Sequence, residues 1–211
     1  MTNTILPLVA FDIETVPLFT APEQAPDYVQ KAFANSTTTD WNDYAPFHAH
    51  TAKIVAIAFA RRKGNEIITK TIYSDTEKDL LTEAQSILEK LHQKAILTGH
   101  YINLFDIPML VRRMIIHNIK PPTIINPLAT KPWDAPTFDT YDAWRLHSRN
   151  STSLDTLCHM LQIPSPKNQI DGSMVHDLWN QGQHQQVADY CGRDAEAALL
   201  VAEKLRHLLL M

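Results

Sequence analysis

The chain has 211 residues, 45% hydrophobic and 20% charged, with a formal net charge of −4 and a pI near 6.2. That length buries a core without staples and predicts a single domain over 1–211. The charge excludes a protein that coats nucleic acid by bulk attraction, but not an enzyme that meets a polyanion through metal ions and a local basic patch. The cysteines, Cys158 and Cys191, form no CxxC pair, and the short N-terminal apolar run lacks a basic flank. No apolar stretch approaches the ~20 residues of a membrane span. A reduced, cytoplasmic setting is expected.

Residues 5–13 read as a buried strand in which Leu6, Leu8 and Ala10 share a face with Asp12 and Glu14, while Val9, Phe11 and Ile13 point the other way. Apolar side chains on both faces mark a central strand. The segment 16–52 is irregular, rich in Pro, Thr and Asn, and long enough to expect function or local helix rather than plain linker. Residues 53–60 and 66–73 read as a hairpin turning at Lys63-Gly64-Asn65. Ser74-Asp75-Thr76-Glu77 has the pattern of a capping box opening a helix through Leu80, Ala84, Leu88 and Leu91. A short strand follows at 95–99, then a helix over about 104–118. The proline-rich stretch 120–136 is expected to loop over the surface. Phe138–Asp142 is a candidate fifth strand, and Ser153 caps a helix through about 162. Two more helices are expected over 173–181 and 184–208. Strands that first meander and then alternate with helices predict an α/β domain with a mixed central sheet.

Charged groups in core positions are costly unless paired or bound to metal. Asp12 and Glu14, two apart on a strand, project from one face within reach of one ion. Tyr190 and Asp194, four apart on a helix, share the inward stripe Val187, Tyr190, Asp194, Ala198, Val201, Leu205. Asp106 opens its helix on the side that continues through Leu110 and Met114, where the helix dipole alone also favours an acid. Oxygen donors without a zinc-spaced His or Cys pattern select hard cations, Mg²⁺ or Mn²⁺. Two such ions about 4 Å apart clamp the attacking and leaving oxygens of a phosphodiester. A tyrosine one turn from a metal-binding Asp could orient or help deprotonate the attacking water. An isolated Asp-x-Glu is more often a solvated strand edge or helix cap; the joint order and contexts of these residues carry the argument.

Phe11-Asp12-Ile13-Glu14-Thr15, Phe105-Asp106 and Tyr190-Cys191-Gly192-Arg193-Asp194 resemble the three exonuclease motifs of the DEDD superfamily in its tyrosine subtype. The likeness is to the 3′–5′ exonucleases related to the proofreading domain of B-family DNA polymerases. It extends to Ala45-Pro46-Phe47-His48, Phe138-Asp139-Thr140, Ser153-Leu154-Asp155 and Asp171-Gly172-Ser173. The resemblance implies an RNase H-like fold, a five-stranded mixed sheet flanked by helices. It also implies two divalent ions, with Asp12, Glu14 and Asp194 holding the one that activates water and Asp12 and Asp106 holding the other. Tyr190 would position the water, and Thr15 would lie near the terminal nucleotide. Family members carry an Asn three to five residues before the second-motif Asp; here Tyr101 stands five before Asp106 and Asn103 three before, so both registers stay open. The polymerase palm, fingers and thumb have no counterpart, and a stand-alone exonuclease domain is expected.

The implied partner is nucleic acid with a single-stranded 3′ end, DNA favoured over RNA, and the implied products are nucleoside 5′-monophosphates. A ribonuclease of the same superfamily, a non-catalytic nucleic-acid-binding adaptor and a nucleotidase are the rival readings. Arg112, Arg113, Lys120, Lys131, Arg145, Arg149, Lys167 and Arg193 are candidates for a basic patch, Lys167 foremost, with scattered solvated charge as the alternative. Phe105 could stack on a terminal base or pack against the sheet. His48 and His50 read as surface loop, Cys158 and Cys191 as small core residues, and Asp139 and Asp142 as caps where strand passes into helix.

Overall fold

A computed structural model describes residues 6–126, 128, 137–150, 152–167 and 170–210. Five strands, β1 (Leu8–Pro17), β2 (Ala52–Lys63), β3 (Glu66–Tyr73), β4 (Ile96–Gly99) and β5 (Thr137–Asp139), form one sheet in the order β3-β2-β1-β4-β5. The first three are antiparallel, and β4 and β5 run parallel to β1. The helices are α1 (Asp27–Ala34), α2 (Trp41–Tyr44), α3 (Glu77–Leu91), α4 (Asp106–Ile116), α5 (Thr140–Arg145), α6 (Leu154–Leu161), α7 (Val175–Asn180) and α8 (His184–Leu210). Among the described residues no helix is long and apolar enough to cross a membrane.

Alternation along β1 sorts two cores, as expected. Val9, Phe11 and Ile13 pack with residues of α3 and α4, while Leu8 and Ala10 face the α8 side with Val187, Tyr190 and Cys191. On that second side β2 presents Ala56, Ala58 and Ala60, small residues that let α8 approach closely. A Cβ built at Gly192 would stand 3.1 Å from Thr71 Oγ1. The β1–β2 register shifts at Glu14/Thr15, where Val55 is the extra residue on β2. This bulge re-phases the strand, so that Ile54 and Ile57 face the same core although three apart.

Several boundaries differ from expectation. β1 continues past both acids to Pro17, pairing with Ala52–Ile54 on β2, so Asp12 and Glu14 are interior to the strand and not its end. The fifth strand stops at Asp139, whose side chain accepts from Tyr141 N at 2.9 Å and caps α5. The capping box does not form. Ser74 Oγ accepts from Thr76 N, while Glu77 turns inward to accept from Ile54 N at 2.8 Å and to pair with Arg113 and His117. Arg113 is therefore a buried structural cation at 5% exposure and leaves the proposed basic patch. Its Nη1 also donates to Ala49 O at 2.8 Å. Within the proline-rich stretch, Ile124 and Ile125 enter the core at 2% and 3% exposure instead of looping over the surface; residues 127 and 129–136, with Lys131, lie outside the described residues. His48 and His50 do lie in the loop before β2, but half-buried: His48 stacks on Tyr44 at 3.9 Å, and His50 Nε2 lies 2.9 Å from the Tyr44 hydroxyl.

Candidate active site

The sheet itself gathers the acids. β4 pairs with β1 only over Leu8–Ala10 and then turns away, leaving the upper half of β1 without a neighbour on that side. Gly99 makes the departure possible, because a Cβ there would fall 2.2 Å from Ile102 Cγ2 and 2.7 Å from Phe11 O. The first residue of α4 fills the gap: Asp106 Oδ1 accepts from Ile13 N at 3.2 Å. A binding crevice beyond the carboxyl ends of parallel strands is the usual place for a ligand in an open α/β sheet. Asp12 and Glu14 face α8 from β1, and Cys191 Sγ donates to Asp12 O at 3.4 Å. Tyr190 and Asp194 flank that cysteine on the same helix, near enough for the Tyr190 hydroxyl to favour the ionised form of Asp194.

Four carboxyl groups from β1, α4 and α8 thus share one space; Asp106 and Asp194 raise the cost of ionising Asp12 and Glu14, and Asp194 that of ionising Asp106. Burial, then the charges of Asp194, Glu14 and Asp106, push Asp12 well above the ordinary carboxyl range. Burial, then Asp194 and Asp106, do the same to Glu14. Asp106 is pushed up to about 8, chiefly by burial, with Asp139 and Asp194 adding and the Ile13 N–H opposing. Asp194 rises to about 6, burial outweighing the Tyr190 hydroxyl and the nearby Arg193 and Lys167. Among the described residues no Lys or Arg forms an ion pair with any of the four.

These groups fit a hard divalent cation. Oxygen donors of Asp12 and Glu14 lie with Cys191 Sγ within 4.8 Å of one another. The thiol is not part of a soft site. Burial, together with the carboxylates, raises Cys191 well above the ordinary thiol range, and it stays protonated as a donor. Asp106 and Asp194 stand outside that tightest grouping and join it through the field they exert on Asp12 and Glu14.

The remaining predicted residues are spread around this centre. Thr15 Oγ1 donates to Pro46 O at 2.8 Å, tying β1 to the segment after α2. Phe105 is half-buried and packs against Phe47 at 5.7 Å, so it serves packing at least in part. Lys167 is exposed, and its charge reaches Asp194 and Asp171. Asn103 is exposed and not among the acids; its amide donates to Asp142 at 3.3 Å.

Sequence reasoning missed a cavity of about 480 Å³ beside Thr15, walled by Pro46 and Phe47 on one side and by Gly172, Ser173 and His176 on the other. A Cβ at Gly172 would lie 4.0 Å from the Tyr190 hydroxyl, which puts the cavity next to the acids. The Ala45-Pro46-Phe47 and Asp171-Gly172-Ser173 segments carried the only signal, and nothing local linked them. Arg193, one of the candidates for a basic patch, lies over the Tyr190 ring at 5.9 Å and donates to Pro166 O at 3.2 Å.

No curated protein matches this chain. Among solved structures, the family B DNA polymerase of the archaeon Pyrobaculum calidifontis superposes with a TM-score of 0.64 at 16% identity, over 95% of this chain and 24% of the polymerase. E. coli exonuclease I, solved with an oligonucleotide, gives a TM-score of 0.49 at 12% identity, over 97% of this chain and 41% of that one. The chain thus spans about a quarter of the polymerase it overlays, and the likeness establishes the RNase H-like fold. The family model described as a predicted 3′–5′ exonuclease related to the exonuclease domain of PolB matches residues 42–208, most of the chain. With the fold and this match in agreement, the chain belongs to the family of predicted 3′–5′ exonucleases related to the exonuclease domain of PolB.

Proposed function

We propose that this chain hydrolyses the 3′-terminal phosphodiester of nucleic acid, DNA favoured, using two divalent cations, Mg²⁺ or Mn²⁺, and releasing nucleoside 5′-monophosphates. The observation that carries the reading is the convergence of Asp12, Glu14, Asp106 and Asp194, all raised above the ordinary carboxyl range and, among the described residues, with no Lys or Arg at ion-pair distance from any of them. Such a cluster is stable in its charged form only with cations between the acids. Asp12, Glu14 and Asp194 would hold one ion, and Asp12 and Asp106 the other. When bound, the ions supply a water of lowered pKa and positive charge at the scissile phosphate.

The chain's own groups do the rest. The Tyr190 hydroxyl is raised above its ordinary range, first by burial and then by Asp194 and Glu14, so it stays protonated. It acts as an orienting hydrogen-bond partner for the attacking water, not as the base. The water oxygen bonds to phosphorus as the bond to the 3′ oxygen of the penultimate sugar breaks. The shortened strand takes a proton to regain its 3′-hydroxyl. The cavity beside Thr15 holds the departing nucleotide: Pro46 and Phe47 offer apolar wall, and no Lys or Arg among the described residues lines it, which suits a base better than a phosphate. Lys167, near Asp194, supplies charge for the backbone. The thiols of Cys158 and Cys191, buried and unbridged, support a reduced cytoplasmic setting.

Digestion of 3′- and 5′-labelled single-stranded DNA, duplex DNA and RNA tests this reading. The expected result is a ladder shortening from the 3′ end in Mg²⁺ or Mn²⁺, abolished by EDTA and by Asp12→Ala or Asp194→Ala. Cleavage undiminished in either variant removes the two-metal reading, and a wild type that binds DNA but never cleaves it makes the chain an adaptor.

A further inference from the structure

On the Asp106 side of the site, the turn after β4 and the start of α5 carry a group of aromatic rings that neither the fold nor the chemistry above requires. Tyr101 sits in left-handed backbone, φ 70°, with its side chain 41% exposed. That conformation disfavours a bulky side chain and suits Gly or Asn. Tyr101 therefore combines backbone strain with little burial to offset it, a combination that persists where a site requires it. Its ring stands edge-on to Tyr141 at 4.8 Å and 82°. Tyr141 in turn lies beneath the Arg145 guanidinium at 5.4 Å, with His100 edge-on at 5.8 Å.

The group is fastened in place. The Asp139 carboxylate accepts from Tyr101 N, Asn103 N and Tyr141 N, each at 2.9 Å, binding the turn and the start of α5 to one anchor. His100 is held by Thr140 Oγ1 at 3.0 Å and Thr152 O at 2.9 Å. The anchor is close enough to Asp106 for its charge to act there. Arg145 pairs with Asp142 at 3.0 Å, and exposed Arg149 follows it on the chain.

We propose that Tyr101, backed by Tyr141 and Arg145, is a stacking platform for an unpaired nucleobase on the 5′ side of the scissile bond. A rigid ring beside cations takes a nucleic acid strand by stacking and backbone attraction, with little sequence preference. Paired bases offer no face to it, so the platform selects single-stranded substrate. It also divides labour across the site: the terminal base enters the cavity by Thr15, which no Lys or Arg among the described residues lines, and the retained strand rests on the Tyr101 side. This inference rests on the nucleic-acid reading above, and its test does not need cleavage.

Fluorescence anisotropy with a single-stranded oligodeoxynucleotide, in Ca²⁺ and again in EDTA, compares wild type with Tyr101→Phe, Tyr101→Ala and Tyr101→Gly. The platform predicts that Phe binds as wild type, whereas Ala and Gly lose roughly 10-fold in affinity. Blunt duplex should bind all four alike. Tyr101→Gly relieves the left-handed strain, so its melting midpoint should equal or exceed that of wild type and exclude unfolding as the cause. An oligonucleotide scanned with single abasic sites should show one position whose loss weakens wild type and leaves Tyr101→Ala unchanged. Equal single-strand affinity in all four proteins overturns the platform, as does absence of strand binding by wild type. If the Tyr101 dependence holds while wild type never cleaves, the platform stands and the exonuclease reading falls.

Discussion

Asp106→Asn separates the electrostatic account of the site from simple packing. In the folded chain Asp106 holds its proton up to about pH 8, against 3.8 for an ordinary aspartate. Without metal the folded state therefore binds more protons than the unfolded one between those values, and stability falls as pH rises from ~4 through 8. Four units at ~1.4 kcal/mol each set a ceiling of about 5 kcal/mol on the cost of the charge at pH 8, and of about 2 kcal/mol at pH 5. Asparagine keeps the shape and can still accept from Ile13 N, the bond Asp106 makes at 3.2 Å. Asp12 and Asp194 retain some contact with water, and screening there brings the expected gain at pH 8 to about 2 kcal/mol. In EDTA the variant's urea midpoint should rise by about 1 M at pH 8, for a slope of about 2 kcal/mol/M, and by less than half of that at pH 5. In saturating Mn²⁺ the order should reverse, because wild type alone keeps the full ligand set. A midpoint that falls in EDTA at pH 8, or rises equally at both pH values, refutes the reasoning.

Two further outcomes follow from the geometry. Tyr190→Phe should fold normally and lose roughly 10- to 100-fold in kcat with little change in KM, because the hydroxyl orients water without holding the strand; steady-state digestion checks it, and an unchanged kcat excludes Tyr190 from the reaction. Glu77→Gln should cost about 3–5 kcal/mol in chemical denaturation, since it leaves Arg113 buried and partly unpaired at 5% exposure, whereas Glu77→Leu with Arg113→Met should cost less than the single change.

The acids could be read in the sequence because carboxylates in an apolar strand and on a helix's inward stripe have few structural uses, and because two- and four-residue spacings translate directly into shared faces. The mixed character of the sheet followed from a meander that gives way to alternating strands and helices, whereas the strand order did not. What escaped depends on distant partners. Thr15-Val16-Pro17 reads as a break, yet β2 continues to pair there, and a strand's last residue can be proline. Ser74-Asp75-Thr76-Glu77 satisfies a local capping rule, but Arg113, 36 residues away, takes Glu77 instead. The same pairing removed Arg113 from the expected basic patch. Phe47 and Gly172 line one cavity from opposite parts of the chain. Tyr101 is proposed over Asn103 on features no local pattern carries: Tyr101 has the left-handed φ and the exposed ring, and Asn103 is bonded to Asp142.

The central claim is that four carboxylates of one chain gather two divalent ions, and counting bound Mn²⁺ tests it most directly. Equilibrium titration followed by electron paramagnetic resonance should give two ions per wild-type chain, one in Asp106→Ala and neither held tightly in Asp12→Ala. A wild type that binds no Mn²⁺, or an Asp12→Ala protein that binds as wild type does, contradicts the account.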